Sequence, residues 1–374
     1  MALPLAKVAM KPSTLAQAHN RRRTAIFPTG SNKTESVQVW PFKSAFFSKV
    51  LGFRREEQNT MPATDNRLTT QEMAEFVAAG YLRFDGLVPD AINQNAVAEL
   101  QDLYPVKLSN AIKASGKNPR DLKIAQPKEG VITPESLTPL SKCYPPPSAI
   151  GEMLRLPQVH GIIESLVGTD PLFDHDFVHF IPADTTTGQH LHVDAVVDNR
   201  DPSFDIQLFY FPVEVKPGAG GTRFVPGSHL RHTRAEGVSR YQNILGEQHY
   251  HGSAGTVLIF HQGLWHAGQP NLSGDDRWMY KIRLNPTVPQ VRLWNQDDFK
   301  ARHNDAKDHT FAHVRTDSVA QQLREMQPWQ RGHEARYEQM ERARLWRYLS
   351  GDQAFDVDYY HTRMERRTRA NQET

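Results

Sequence analysis

The chain has 374 residues, 39% of them hydrophobic and 23% charged, with a formal net charge of +2. It holds no uncharged apolar run of membrane-spanning length, which argues against a transmembrane role. Its one cysteine, Cys143, excludes an internal disulfide framework and a cysteine-based zinc cluster, so metal chemistry would have to use histidine and carboxylate.

Charge is unevenly spread. Residues 1–60 carry ten Lys/Arg and three Asp/Glu, against 34 and 39 in the remainder. The body is therefore mildly acidic, unlike a nucleic-acid-binding core, whose phosphate contacts need clustered basic side chains. The first acidic residue is Glu35, and the stretch before it, with Arg21-Arg22-Arg23 among Ala, Ser and Thr, resembles an organellar transit peptide. The alternative is a disordered extension ahead of a start at Met61. No secretory apolar core stands near the beginning, and Gln372-Glu373-Thr374 is not a peroxisomal address of the Ser-Lys-Leu type. A cytoplasmic location is expected, or a mitochondrial one if residues 1–34 are cleaved.

From Met61 the pattern changes. Thr69-x-x-Glu72 fits a capping box, Met73, Phe76 and Val77 follow at helical spacing, and Gly80 offers a stop, predicting a helix over 69–79. Tyr81-Leu82-Arg83-Phe84 reads as a strand, and Pro89-Asp90 opens a second helix through Ala96, Val97 and Leu100. Residues 104–150 are proline-containing and loop-rich, with Cys143 expected as a buried small hydrophobe. Short strand-like runs then occupy 173–181, 189–196, 204–215, 222–225, 256–261 and 278–285. Such a series predicts a mainly β fold with flanking helices, a double-stranded β-helix (jelly roll, cupin-like) over residues 61–294. After Trp294 the chain turns polar and helical, with Leu345, Trp346 and Leu349 before Gly351. Residues 295–374 are expected to form a helical extension that packs on the core or on a second subunit. Oligomeric state is not legible.

One strand-like run carries the chemistry. In "GQHLHVDAVVD" (188–198), side-chain alternation puts His190, His192 and Asp194 on one face. Imidazole and carboxylate converging on one point suit a divalent metal, which offsets the cost of burying the charge. A hydrogen-bonded His–Asp pair is the plainer reading of a lone His-x-Asp. A further ligand could come from "GTVLIFHQGLWHAGQPN" (255–271), through His261 or His266, and Arg277 or Arg283 could hold a dicarboxylate through a bidentate pair.

Four blocks in order, "LTTQEMAEFVAAGYLRFDGLV", "QHLHVD", "GGTRFVPGSH" and "HAGQPN" followed by Arg277, resemble the phytanoyl-CoA dioxygenase family of Fe(II)/2-oxoglutarate oxygenases, from about Leu68 to Arg283. The resemblance implies His192, Asp194 and His266 as iron ligands and Arg277 as anchor for the distal carboxylate of 2-oxoglutarate. It places Gln189 and Thr222 in the cosubstrate pocket. It further implies Fe(II), 2-oxoglutarate and O2 as the reacting set, release of succinate and CO2, and hydroxylation of an unactivated C–H bond in a small-molecule or lipid-like substrate. A retained Asp194 favours hydroxylation over halogenation. Lys123, Lys128 and Lys142 could meet the phosphates of a CoA thioester or be surface lysines. His175, His179 and His229 are expected to be structural. Three other readings compete: a non-catalytic cupin-like metal-binding protein, a metal-dependent hydrolase, for which the His-Glu-x-x-His signature is absent, and an interaction protein built on the charged C-terminal helices.

Overall fold

Thr69 caps the first helix reciprocally: its hydroxyl accepts from the Glu72 backbone N–H, and the Glu72 carboxylate accepts from the Thr69 backbone N–H. Helix α1 (Thr70–Ala79) then ends at Gly80 in the left-handed region, as the capping pattern predicts. Strand β1 (Tyr81–Phe84) and helix α2 (Asp90–Leu103) follow where the periodicity places them.

In this computed structural model the described residues are 65–103, 127–129, 133–195, 201–231, 233–298, 319–355 and 357. The basic segment 1–60 and Lys123 lie outside them. After a two-residue strand β2 (Thr138–Pro139) come two helices that the sequence reading did not assign, α3 (Ala149–Arg155), capped by the Ser148 hydroxyl, and α4 (Pro157–Val167), which opens on a proline.

The remaining strands are β3 (Leu172–Ile181), β4 (Ile206–Phe211), β5 (Thr222–Phe224), β6 (Gln248–His249), β7 (Thr256–His261), β8 (His266–Gly268) and β9 (Arg277–Asn285). A one-turn helix α5 (Ala235–Val238) lies between β5 and β6. They build two antiparallel sheets, ordered β1-β7-β4-β9-β3-β2 and β6-β5-β8. This is a jelly-roll core whose sheets are not closed into a barrel. Two expected strands change. The run 204–215 is a strand only over 206–211, and the described part of 189–196, residues 189–195, makes a single bridge, His192 to His266, and no strand. Strand β8, three residues long and soon followed by Pro270, offers no longer ladder to pair with.

Alternation along the central strands separates two apolar clusters. Ile206, Leu208 and Tyr210 of β4, with Tyr280, Ile282 and Leu284 of β9, pack outward against Phe76 of α1 and Ile162 and Leu166 of α4. Phe209, Phe211, Phe260 and Met279 face inward toward Phe224 of the small sheet. Both faces of β4 are thus buried, which accounts for its unbroken apolar run. Cys143 is buried in the outer cluster as expected, its thiol pushed up to about 11 by desolvation and the nearby Asp170 and Asp176.

Two C-terminal helices, α6 (Val319–Arg324) and α7 (Gly332–Ser350), belong to the same outer layer. Leu345, Trp346 and Leu349 of α7 join the cluster that contains Phe76, and the Trp346 and Trp294 rings lie 5.5 Å apart. No helix among the described residues is long and apolar enough to cross a membrane. Because Trp346 is 1% exposed, Trp346→Ala should lower the unfolding free energy by about 3–5 kcal/mol, measured by urea denaturation. A loss below about 1 kcal/mol would show that α7 is not part of the cooperative unit.

Candidate functional site

His192 and His266 are joined by reciprocal backbone hydrogen bonds, each N–H donating to the other's carbonyl at 3.0 Å. This bridge sets the two imidazoles side by side, ring centroids 4.5 Å apart. Each ring is then turned by its own chain: His192 Nδ1 lies 3.1 Å from the His190 carbonyl and His266 Nδ1 2.9 Å from the Leu264 carbonyl. A carbonyl can only accept, so Nδ1 carries the proton and Nε2 presents its lone pair. Both Nε2 atoms face one carboxylate, His192 Nε2 at 3.5 Å from Asp194 Oδ1 and His266 Nε2 at 3.6 Å from Asp194 Oδ2. The three donor atoms fall within 4.8 Å of one another, a group able to hold a metal ion. His190 is exposed, its carbonyl serving His192 while its ring stays outside this group.

The electrostatics suit a cation. Burial would raise the Asp194 carboxyl, but His266, Lys281 and His192 outweigh it and hold it well below the usual carboxylate range. Lys281 Nζ donates directly to Asp194 Oδ2. Burial pushes His266 down to about 3, so its imidazole is neutral at physiological pH, the form that ligates metals.

A cavity runs from this group toward Arg277, lined also by Gln189, Thr222, His179, Phe209 and Lys281. Arg277, 2% exposed, has no hydrogen-bond partner for Nε or Nη1, and burial lowers it only to about 10, so it remains charged. Gln189 is fixed at the other wall: its backbone N–H and side-chain Oε1 both engage Gly268, each at 2.8 Å. Thr222, buried, has its hydroxyl 3.9 Å from the Met279 sulfur. The structure thus brings together all six residues singled out in the sequence. Ser228, in the block GGTRFVPGSH, bonds backbone, donating to the Val225 carbonyl and accepting from the Trp265 N–H.

The alternatives left open by sequence separate cleanly. Arg283 is already engaged by Asp174 at 3.3 Å and by Asp205. His261 points to the outer layer, 5.1 Å from the Phe204 ring and 5.0 Å from His229. Sequence reasoning missed Lys281 and took His179 as structural, yet both line the cavity. Their signal was position: His179 and Lys281 alternate in phase with Ile181 and Arg277 on neighbouring strands. Of the three lysines considered for a CoA thioester, Lys128 pairs with Asp102 at 3.4 Å and Lys142 is exposed on a short 3-10 turn, neither lining the cavity.

Residues 76–279 match the phytanoyl-CoA dioxygenase (PhyH) family. The chain belongs to that family. Among solved structures it is similar to the non-heme alpha ketoglutarate dependent carbocyclase SnoK from nogalamycin biosynthesis, at 16% identity over 65% of this chain and 93% of that one, with a TM-score of 0.40. It is similar also to EctD from S. alaskensis, at 16% identity over 59% and 77% of the two chains and a TM-score of 0.42. AviO1 from Streptomyces viridochromogenes Tue57 is 18% identical over 58% and 96%, with a TM-score of 0.41. No curated protein matches the sequence.

Within this family member, His261 and His229 behave as core imidazoles. Burial pushes His261 down to about 3 and His229 well below the usual histidine value. Unfolded, each protonates near pH 6.5. The unfolded chain therefore binds more protons between about pH 6.5 and 3, so stability is full above about pH 6.5 and falls as pH drops, by up to about 1.4 kcal/mol per unit per histidine. His261→Gln should flatten the slope of unfolding free energy between about pH 6 and 4 by that amount. An unchanged slope would mean that His261 titrates alike in both states.

Proposed function

We propose that the protein is an Fe(II)- and 2-oxoglutarate-dependent dioxygenase that hydroxylates an unactivated C–H bond of a small-molecule or lipid-like substrate. The observation that carries this is Arg277: a buried guanidinium with two nitrogens unpaired, sharing a cavity with a His/Asp/His group. An unpaired buried charge is costly, and a dicarboxylate reaching from the metal group to Arg277 would satisfy it. A metal-binding protein without cosubstrate leaves Arg277 unexplained.

The donor set, two imidazoles and one carboxylate, fits ferrous iron and would leave it positions for substrates. His192, Asp194 and His266 would hold it. Iron with 2-oxoglutarate and O2 supplies the oxidising power, releasing succinate and CO2 as oxygen enters the C–H bond.

The chain's own work is placement. The His190 and Leu264 carbonyls hold the Nδ1 protons, so both Nε2 atoms are ready without reorganisation. Lys281 keeps Asp194 ionised and orients it. Arg277 would take the distal carboxylate in a charge-assisted pair, and Gln189, whose oxygen is committed to Gly268, has its amide nitrogen left to donate. Phe209 and Met279 exclude water from the space between.

The test is anaerobic: Fe(II), then 2-oxoglutarate, should give the visible charge-transfer band of a chelated 2-oxo acid. His192→Ala, Asp194→Ala and His266→Ala should each lose the band with the iron. Arg277→Ala should keep iron and weaken 2-oxoglutarate roughly a hundredfold, about 3 kcal/mol for a broken buried charge pair. Tight metal binding with no band in the unaltered protein would instead support a cupin-like metal protein.

A further inference from the structure

The inner face of the large sheet has a direction. Along β9 its residues are Arg277, Met279, Lys281, Arg283 and Asn285, and by register Arg283 lies opposite Gln207 of β4, which faces Phe260 of β7 on its other side. If 2-oxoglutarate occupies the Arg277 end, as proposed above, the metal group lies near Lys281. The next inner position of β9 beyond Lys281, on the side away from Arg277, is Arg283, with Gln207 opposite it. Gln207 stands two residues from Phe209 on the same face, about 7 Å at strand spacing, and the Phe209 ring is 5.7 Å from that of His266.

Gln207 is 0% exposed and neither its amide nitrogen nor its amide oxygen has a hydrogen-bond partner. Two β-strand positions beyond Arg283, the side-chain oxygen of Asn285 is likewise buried and unpaired. Leaving such groups unpaired in the interior is unfavourable unless a ligand satisfies them. An amide offers a donor and an acceptor side by side, and its natural complement is another carboxamide or a hydroxyl.

Charge narrows the class further. The Arg283 guanidinium is matched by two carboxylates, Asp174 and Asp205, and Lys281 by Asp194. An incoming carboxylate or phosphate would find every cation at this end taken and would meet excess negative charge. Beside them Phe177, 39% exposed and opposite Lys281 in the register, offers an apolar wall for the rest of the molecule.

We propose that Gln207 is a specificity-determining residue of the oxygenase site and that the primary substrate is a neutral molecule with an apolar body, presenting a carboxamide or hydroxyl to it. This assignment rests on the dioxygenase reading for its orientation. It places anionic acyl chains and acyl-CoA head groups outside the preferred class at this position.

Hexanamide and hexanoate, matched in length, are the probes. Their affinities are read by ligand-observed NMR on the full chain loaded with Zn(II) and 2-oxoglutarate, and again on the metal-free chain. Hexanamide should bind about tenfold more tightly than hexanoate, and Gln207→Leu should remove that advantage, the size of one hydrogen-bonded pair, while leaving hexanoate unchanged. Gln207→Leu should also melt at or above the temperature of the unaltered protein, because no protein partner is lost. Gln207→Met, which keeps the unbranched shape, should behave the same and stands in if the leucine variant does not fold.

Equal or tighter binding of hexanoate, no binding of hexanamide, or retained discrimination in both variants would overturn the assignment. A clear fall in melting temperature in both variants would do so too, by showing that the amide has a structural role. Discrimination in the metal-free chain together with no charge-transfer band would instead fail the dioxygenase reading and leave the Gln207 site standing.

Discussion

The site hangs on the backbone bridge between His192 and His266. Residues 189–195 form no strand; they are tied to the small sheet by the His192–His266 pair, by two hydrogen bonds between Gln189 and Gly268, one donated by each residue, by the Arg223 guanidinium donating to the Gln189 carbonyl at 3.2 Å, and by Leu191 clustering with Val225 and Ala267. Those contacts do the work of a ladder at a place where a ladder would be too flat. A regular strand would send alternate side chains straight up from the sheet. The single bridge instead lets Asp194 turn toward both imidazoles while each ring is pinned through Nδ1. Irregular backbone here is thus tied to function, and it is held because its few polar groups are satisfied.

A second constraint is electrostatic and runs along one strand. On the inner face of β9, Arg277 has two unpaired nitrogens, Lys281 is paired with one carboxylate and Arg283 with two. Three cations on one face thus have three different degrees of compensation. Burial alone does not explain the order, since Arg277 and Lys281 are both under 6% exposed. What differs is the supply of carboxylates from neighbouring segments: Asp174 and Asp205 stand at one end and Asp194 in the middle. At the Arg277 end the neighbours are Thr222, Ile181 and an aromatic ring, Phe211, 5.9 Å from the guanidinium.

Much of this was legible in the chain because it is local. The capping box at Thr69 and Glu72, the strand periodicity of 173–181 and 256–261, and the His-x-Asp spacing are all set within a few residues. Helices α3 and α4 went unassigned: α3 begins at the end of the proline-containing stretch 104–150 that reads as loop, and α4 opens on Pro157, where its missing N–H costs nothing. The segment 189–196 was read as a strand from alternation alone, which says nothing about whether a partner of adequate length exists. Lys281 was missed for a different reason. A lysine in a strand reads as solvent-facing, although its even spacing from Arg277 puts both on one face of β9, and the register against β3 and β4 shows that face to be the inner one. The choice between Arg277 and Arg283 was equally non-local, decided by which one finds carboxylates.

That register is itself fixed from the other side of the sheet. The residues alternating with the inner row of β9 are Trp278, Tyr280, Ile282 and Leu284, all in the outer cluster with Phe76, Ile162 and Trp346. A slip of one residue would turn these four toward the cavity and push Arg277, Lys281 and Arg283 into the apolar layer under the helices, stranding three cations away from their partners. Helices α1, α4 and α7 therefore act on the site without touching it. By making the outer face uniformly apolar they leave a single register in which every charge on β9 can be accommodated. That these cations occupy the inner face follows from packing on the outer one.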